Sequence, residues 1–373
     1  MRWLWRGGFP RRVLSGDLLL LLLGFFIAAC LPWGSSMAVA CTPNRNTTNG
    51  SGNNSKAMLP GEQTWKDGAS SFLFGTNDTQ EWANDNVETN SAIQQALKAA
   101  HFTLMRTFFF DKSLADGHAT TDAEIEQRMQ TVENSGMICL GVLPSMMDAA
   151  FVRHVVSYLG SRCNLYEFGN EPDIGDGNGH DVYSAQEYLQ QWNMLIPQLR
   201  QINPAAKFIG PVTSNATGDQ CRSAASDTQC FMQDFLAGVK ASGILPDAVS
   251  FHWYPCYHDS EASCLARASS YAQVASEVRC LVNNILGKNL PIGITEWNYD
   301  PSVPPPDYGD TFIRQFTTQA LASMIQAKLD FANQFDAQSY GGYGGFDLFD
   351  ITHHDQPKPQ YYAIKSVISM YLP

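Results

Sequence analysis

Eight short apolar runs, each followed by a longer stretch with helical spacing, occupy the chain from Ser71 to its end. The runs are SFLFGTN (71–77), FTLMRTFFF (102–110), MICLGVLP (137–144), NLYEFGNE (164–171), KFIGPVTS (207–214), AVSFHWYP (248–255), PIGITEWN (291–298) and DFANQFDAQSY (330–340). Runs of this length, bounded by Gly, Pro and Asn, read as buried strands. Between them, NSAIQQALKAA, TDAEIEQRMQTVENSG and SAQEYLQQWNMLIPQLRQ carry helical periodicity, and YYAIKSVISMYLP is the eighth helix. Ser184 with Glu187 three residues on forms a capping-box pattern. One strand–helix unit per roughly 37 residues suits a closed (β/α)8 repeat. Eight is the closing number, and no Gly-rich dinucleotide fingerprint follows the first run. A single (β/α)8 TIM barrel is therefore expected over a doubly wound open sheet.

The chain ahead of the barrel is of another kind. A basic leader precedes the 13-residue apolar run LLLLLLGFFIAAC, short for a membrane span and suited to the core of a signal peptide. Two endings compete: lipidation at Cys30 after IAA, or cleavage after AVA (38–40), before Cys41. The pair Arg11-Arg12 is compatible with twin-arginine export. Residues 1–40 are thus expected to be a signal peptide or membrane anchor, 41–58 a flexible Gly/Ser/Asn-rich linker, and 59–373 the barrel. A secreted or surface-tethered monomer follows. Nine cysteines without metal spacing then read as structural, with Cys221–Cys230 and Cys256–Cys264 able to close short rings. A net charge of −12 argues against nucleic acid or an anionic membrane surface as partner.

In such a barrel the working residues sit at the C-terminal ends of the strands. The fourth run ends in Asn170-Glu171-Pro172 and the seventh in Glu296-Trp297-Asn298; the sixth carries His252 and Tyr254, the second Arg106. Two Glu at one end of two strands face a common cavity. Glycoside hydrolysis needs such a pair, one to protonate the leaving oxygen and one to attack the anomeric carbon or activate a water. Arg106 has a second role open to it, as ion-pair partner of Glu167, which shares strand parity with Glu171. Phe251 and Trp253 alternate with His252 and should face the helices. The triplet His353-His354-Asp355 looks like a metal fragment, but adjacent residues rarely converge on one ion. No metal or cofactor is expected. The Pro-rich stretch 301–310 is either a rim of the cleft or a plain connector.

GNEP at the end of the fourth strand and TEW at the end of the seventh resemble glycoside hydrolase clan A, the retaining (β/α)8 glycosidases. The resemblance covers about residues 60–373. It implies Glu171 as acid/base and Glu296 as nucleophile, with Asn170 on the sugar 2-hydroxyl, Tyr254 and His252 on the nucleophile side, and Arg106 supporting it. EFGNEPD and FHWYP resemble families 39 and 79, whereas the bare barrel is closer in plan to families 5 and 128. The clan's strand-eight Trp is missing, so Tyr340 or Tyr343 is expected as the sugar platform instead; Trp297, beside Glu296, is also taken as a substrate contact. Desolvation and the charge of Glu296 would keep Glu171 protonated, and Arg106 with Tyr254 would keep Glu296 ionised. The expected activity is hydrolysis of a poly- or oligosaccharide. A silent glycan-binding barrel and a transglycosylase using the same residues are the alternatives.

Overall fold

The computed structural model describes residues 56–79, 86–112, 117–143, 148–174, 183–216, 230–339 and 345–373. The leader, most of the linker, Cys221, Tyr340 and Tyr343 lie outside the described residues. Each of the eight runs contains a strand: β1 (Gly75–Asp78), β2 (Leu104–Phe108), β3 (Ile138–Leu143), β4 (Leu165–Phe168), β5 (Lys207–Ile209), β6 (Val249–Trp253), β7 (Ile292–Trp297) and β8 (Phe331–Gln334). Their order is β5-β4-β3-β2-β1-β8-β7-β6, all parallel. The two ends meet, because Ile209 pairs with Ala248 and Thr213 with Phe251, and the Val212 N–H donates to the Ser250 carbonyl. The sheet is a closed parallel barrel.

Helices follow the strands in turn: α1 (Ser91–Ala99), α2 (Asp122–Asn134), α3 (Ala149–Leu159), α4 (Ala185–Ile202), α5 (Phe231–Ser242), the pair α6 (Glu261–Ala266) and α7 (Ser270–Leu286) after β6, then α8 (Asp310–Gln326) and α9 (Pro359–Tyr371). Ser184 and Glu187 form the expected capping box at α4, and Thr121 with Glu124 forms another at α2. Such reciprocal bonds satisfy N–H groups that the first turn leaves without partners.

The start of the first run behaves differently from a strand. Ser71–Leu73 is a 3-10 turn, with the Ser70 side chain accepting from the Phe72 N–H. The turn drops Phe72 into the bottom of the barrel beside Leu59, Leu104, Leu140, Leu165, Ile209, Ala248 and Phe331. Phe331 fits there because position 293 is Gly; a Cβ at that position would collide with the ring. Leu104, Leu165 and Phe331 lie on even-numbered strands, and Ala248 immediately precedes β6. Two residues further up, the same strands present Arg106, Glu167, Ser250 and Asn333, all buried. The interior thus changes from apolar to charged in one step of the period-2 alternation.

Disulfides join Cys139 to Cys163 and Cys256 to Cys264, and Cys230 and Cys280 are also disulfide-bonded. The second of these bridges matches the expected ring; the first lies outside what the sequence spacing suggested. Among the described residues no helix is long and apolar enough to cross a membrane.

Candidate active site

Arg106 is the hub of the charged layer. Its Nε donates to Glu167 Oε2 (2.5 Å), its Nη1 to Glu296 Oε1 (2.7 Å) and Asn77 Oδ1 (2.9 Å), and its Nη2 to Asn170 Oδ1 (2.7 Å). One fully buried guanidinium therefore binds groups from β1, β4, the β4 loop and β7. Burial opposes its charge, but Glu167 and Glu296 outweigh burial and hold the guanidinium protonated. The same side chain makes both contacts weighed for Arg106, with Glu296 and with Glu167. The Ser250 hydroxyl completes Glu167 by donating to its other oxygen at 2.5 Å.

Glu296 reaches the interior through an irregularity. Phe251 of β6 pairs with Ile294, but His252 pairs with Glu296, so Thr295 is an extra residue. Strict alternation from inward Gly293 would place Glu296 outside and Trp297 inside. The bulge reverses both, a known way of re-aiming a side chain beside a site. Trp297 is consequently 1% exposed and packs edge-on to Tyr271 of α7, in the layer between sheet and helices. The structure thus places Trp297, expected as a sugar contact, against the helix layer and not in the carboxylate cluster. Phe251 and Trp253 do face the helices, the latter donating to Ser270 Oγ at 2.9 Å.

Glu171 lies on the more open side of the cluster, with its side chain 20% exposed. Its φ is +43°, a left-handed conformation that costs a residue like Glu about 1–3 kcal/mol. Two contacts hold it there. Its N–H donates to the Val212 carbonyl at 3.0 Å, and Asp173 accepts from the Ser214 N–H (2.9 Å) and hydroxyl (2.6 Å) across the β4 and β5 loops. The strain is thus sustained by a specific clamp.

His252 bridges the two carboxylates. Its Nδ1 is 2.7 Å from Glu171 Oε1 and 3.3 Å from Glu296 Oε2, and the Tyr254 hydroxyl donates to Glu296 Oε2 at 3.2 Å. His252 Nε2 is buried without a hydrogen-bond partner. The proton therefore belongs on Nδ1, because an orphaned N–H costs more than an orphaned lone pair. Burial pulls His252 down to about 4, against the attraction of Glu296, so the imidazole is neutral near pH 7. Burial pushes the Glu296 carboxyl up, opposed by His252 and Arg106. Tyr254 is pushed well above its ordinary range, first by burial and then by Glu296, and remains a donor.

His252 makes folding pH-dependent. Below pH 6.5 the unfolded chain takes up a proton that the folded protein refuses until about pH 4. Stability from this group is complete above pH 6.5 and is lost as pH falls toward 4, by about 3 kcal/mol. His252→Asn should flatten that acid limb. Urea unfolding near pH 7 and pH 4.5 checks it, and equal losses in both proteins would rule it out.

One oxygen each of Glu171 and Glu296 and Nδ1 of His252 lie within 4.8 Å of one another. Three donors so close could in principle converge on a cation. Here Nδ1 is hydrogen-bonded to Glu171 and Arg106 is paired with Glu296, an arrangement suited to two carboxylates held by hydrogen bonds. In the His353-His354-Asp355 stretch, His353 bonds Asp350, while Asp355 accepts from Asn86, Asn90 and Gln338. Those groups shape turns. The layer also contains residues the sequence did not single out. Asn77 accepts from Arg106 and donates to the Thr295 and Gln334 carbonyls, tying β1 to β7 and β8. Its signal was faint: a polar residue two positions after an inward Gly.

Residues 153–329 match the family model described as Glycosyl hydrolase catalytic core. No curated protein matches the chain significantly by sequence. Solved structures with a similar fold include a glucosidase from Croceicoccus marinus (18% identity, TM-score 0.55, 80% of this chain and 67% of that one). A family 39 β-xylosidase from Caulobacter crescentus is similar at 16% identity and TM-score 0.54, over 80% of this chain and 71% of the other. A family 128 endo-β-1,3-glucanase from Amycolatopsis mediterranei, at 16% identity and TM-score 0.52, is covered over 99% of its length by 79% of this chain. The chain has the fold of these barrels, carries a glycosyl hydrolase catalytic core and is a glycoside hydrolase.

Proposed function

We propose that the protein is an exported, retaining β-glycosidase that cleaves a poly- or oligosaccharide by double displacement. The observation that carries this is the closeness of the two carboxylates, with one oxygen of each inside 4.8 Å. An inverting pair stands about 6.5–9.5 Å apart to hold a water between, whereas a retaining pair stands about 5–5.5 Å apart. Glu296 attacks the anomeric carbon as the glycosidic C–O bond breaks, and Glu171 gives its proton to the departing oxygen. In the second step Glu171 takes a proton from water, the water oxygen attacks the same carbon, and the bond to Glu296 breaks. Arg106 and Tyr254 hold Glu296 ionised and oriented. Asn170, its Oδ1 fixed by Arg106, keeps its NH2 group for the sugar 2-hydroxyl. Tyr340 would add a sugar platform.

Two of the similar barrels are named as a β-xylosidase and an endo-β-1,3-glucanase, which favours a β-linked sugar here. Two disulfides support an oxidising, extracytoplasmic compartment, reached through the leader at 1–40.

The test is a panel of aryl β-glycosides and β-linked polysaccharides, with fresh product followed by proton NMR. The first product detected should be the β-anomer. Glu296→Gln should lower turnover by about 10⁴–10⁶. An initial α-anomer would exclude double displacement, and a fully active Glu296→Gln protein would remove the assigned nucleophile.

A further inference from the structure

Arg106 carries one positive charge and touches two carboxylates, Glu167 at 2.5 Å and Glu296 at 2.7 Å. Glu167 is fully buried on β4, in the layer beneath Glu171. Orientation of the guanidinium alone does not call for a second anion. Asn77 and Asn170 already hold Nη1 and Nη2 through neutral oxygens. A buried carboxylate is costly to desolvate, and its distinctive effect here is to divide the charge of Arg106. We propose that Glu167 is a positioning residue for the nucleophile: by competing for Arg106 it locks the guanidinium in place while leaving Glu296 basic enough to attack carbon.

Among the described residues, the groups facing Glu296 are few. Arg106 comes from β2, Glu171 from the loop after β4, His252 from β6 and Tyr254 from just after it. His252 is neutral near pH 7, so Arg106 is the one nearby cation among them. With Glu167 gone, that cation would act on Glu296 with less opposition. The carboxylate would be more stable, less basic and a poorer nucleophile. Burial already pushes the Glu296 carboxyl up against the pull of His252 and Arg106, the balance this competition would preserve.

Glu167→Gln keeps the shape and an oxygen for Arg106 while removing the charge. The readout is a ¹³C-carboxyl NMR titration of Glu-labelled protein, with the Glu296 signal assigned by its loss in Glu296→Gln. The Glu296 midpoint is expected about one pH unit lower in Glu167→Gln. The acidic limb of kcat/KM should move down with it, with the plateau falling roughly several-fold. A lower Tm with an unmoved midpoint would assign Glu167 a purely structural role and overturn the proposal, as would an upward shift.

Ser250→Ala keeps the idea testable if Glu167→Gln does not fold. It strips a donor from Glu167, leaves more of that negative charge acting on Arg106, and should move the Glu296 midpoint upward by about a few tenths of a unit. An unmoved or lowered midpoint there would also overturn it. The kinetic consequence rests on the glycosidase reading, but the titration needs no turnover. Failure of that reading would show separately, as a wild type that cleaves nothing while the NMR shift persists.

Discussion

Glu171→Ala is expected to lower kcat/KM by about 10²–10⁴ on substrates whose leaving group is a sugar alcohol. On dinitrophenyl glycosides the same variant should keep most of its first-step rate. The difference follows from what the proton does. A sugar alkoxide is too basic to depart unaided, so the loss of a general acid falls on bond cleavage. A dinitrophenolate departs without a proton, and the burden moves to the second step, where Glu171 would have activated water. The glycosyl-enzyme should then accumulate, seen as a burst followed by slow turnover, and added azide should speed its breakdown by attacking without a base. The exposures of the two carboxylates fit this proposed division. Glu171 lies on the more open side at 20% exposure, while Glu296 lies deeper at 7%. A uniform loss across all leaving groups would show that Glu171 supports structure and is not the acid.

The barrel was legible because each strand is a dense apolar run with a break at either end, and parallel strands buried on both faces read that way. The pair Glu171 and Glu296 was legible because both end such runs. What the sequence concealed were local departures from periodicity. The Thr295 bulge makes Glu296 face inward and sends Trp297 out, and no residue in ITEW announces an extra position. SFLF has a strand's composition, yet its Phe72 is more valuable as a plug below the barrel than as a rung of it. Asn77 and Ser250 escaped notice for another reason. They are small neutral residues whose importance comes only from the charges beside them, and those charges lie on other strands. The Cys139–Cys163 bridge likewise joins residues brought together by adjacent strands and not by close spacing.

Arg106→Leu should cost about 3–5 kcal/mol, a large share of the roughly 5–15 kcal/mol that holds a domain folded. The loss comes from what remains. Glu167 is fully buried and Glu296 nearly so, and both lose their cation, while the Asn77 and Asn170 oxygens lose a donor. The sign of the pH dependence follows. Without Arg106 the folded-state pKa of Glu296, already pushed up by burial, rises further above the unfolded value near 4.3. The penalty is then absent below that pH and grows as pH rises through and beyond it. The variant should therefore approach wild-type stability near pH 4.5 and fall well below it near pH 7. Arg106→Lys should recover part of the stability but little activity, because an ammonium cannot span Glu167, Glu296 and Asn170 with one planar fork. Arg106→Leu with Glu167→Leu should recover more, since replacing a buried pair together removes the uncompensated charge. Yet that double variant should stay inactive, because Glu296 still lacks the guanidinium that holds it ionised. Urea unfolding at the two pH values, run beside turnover on an aryl glycoside, separates these effects. A double variant that regained both stability and activity would show that Arg106 serves only to neutralise Glu167.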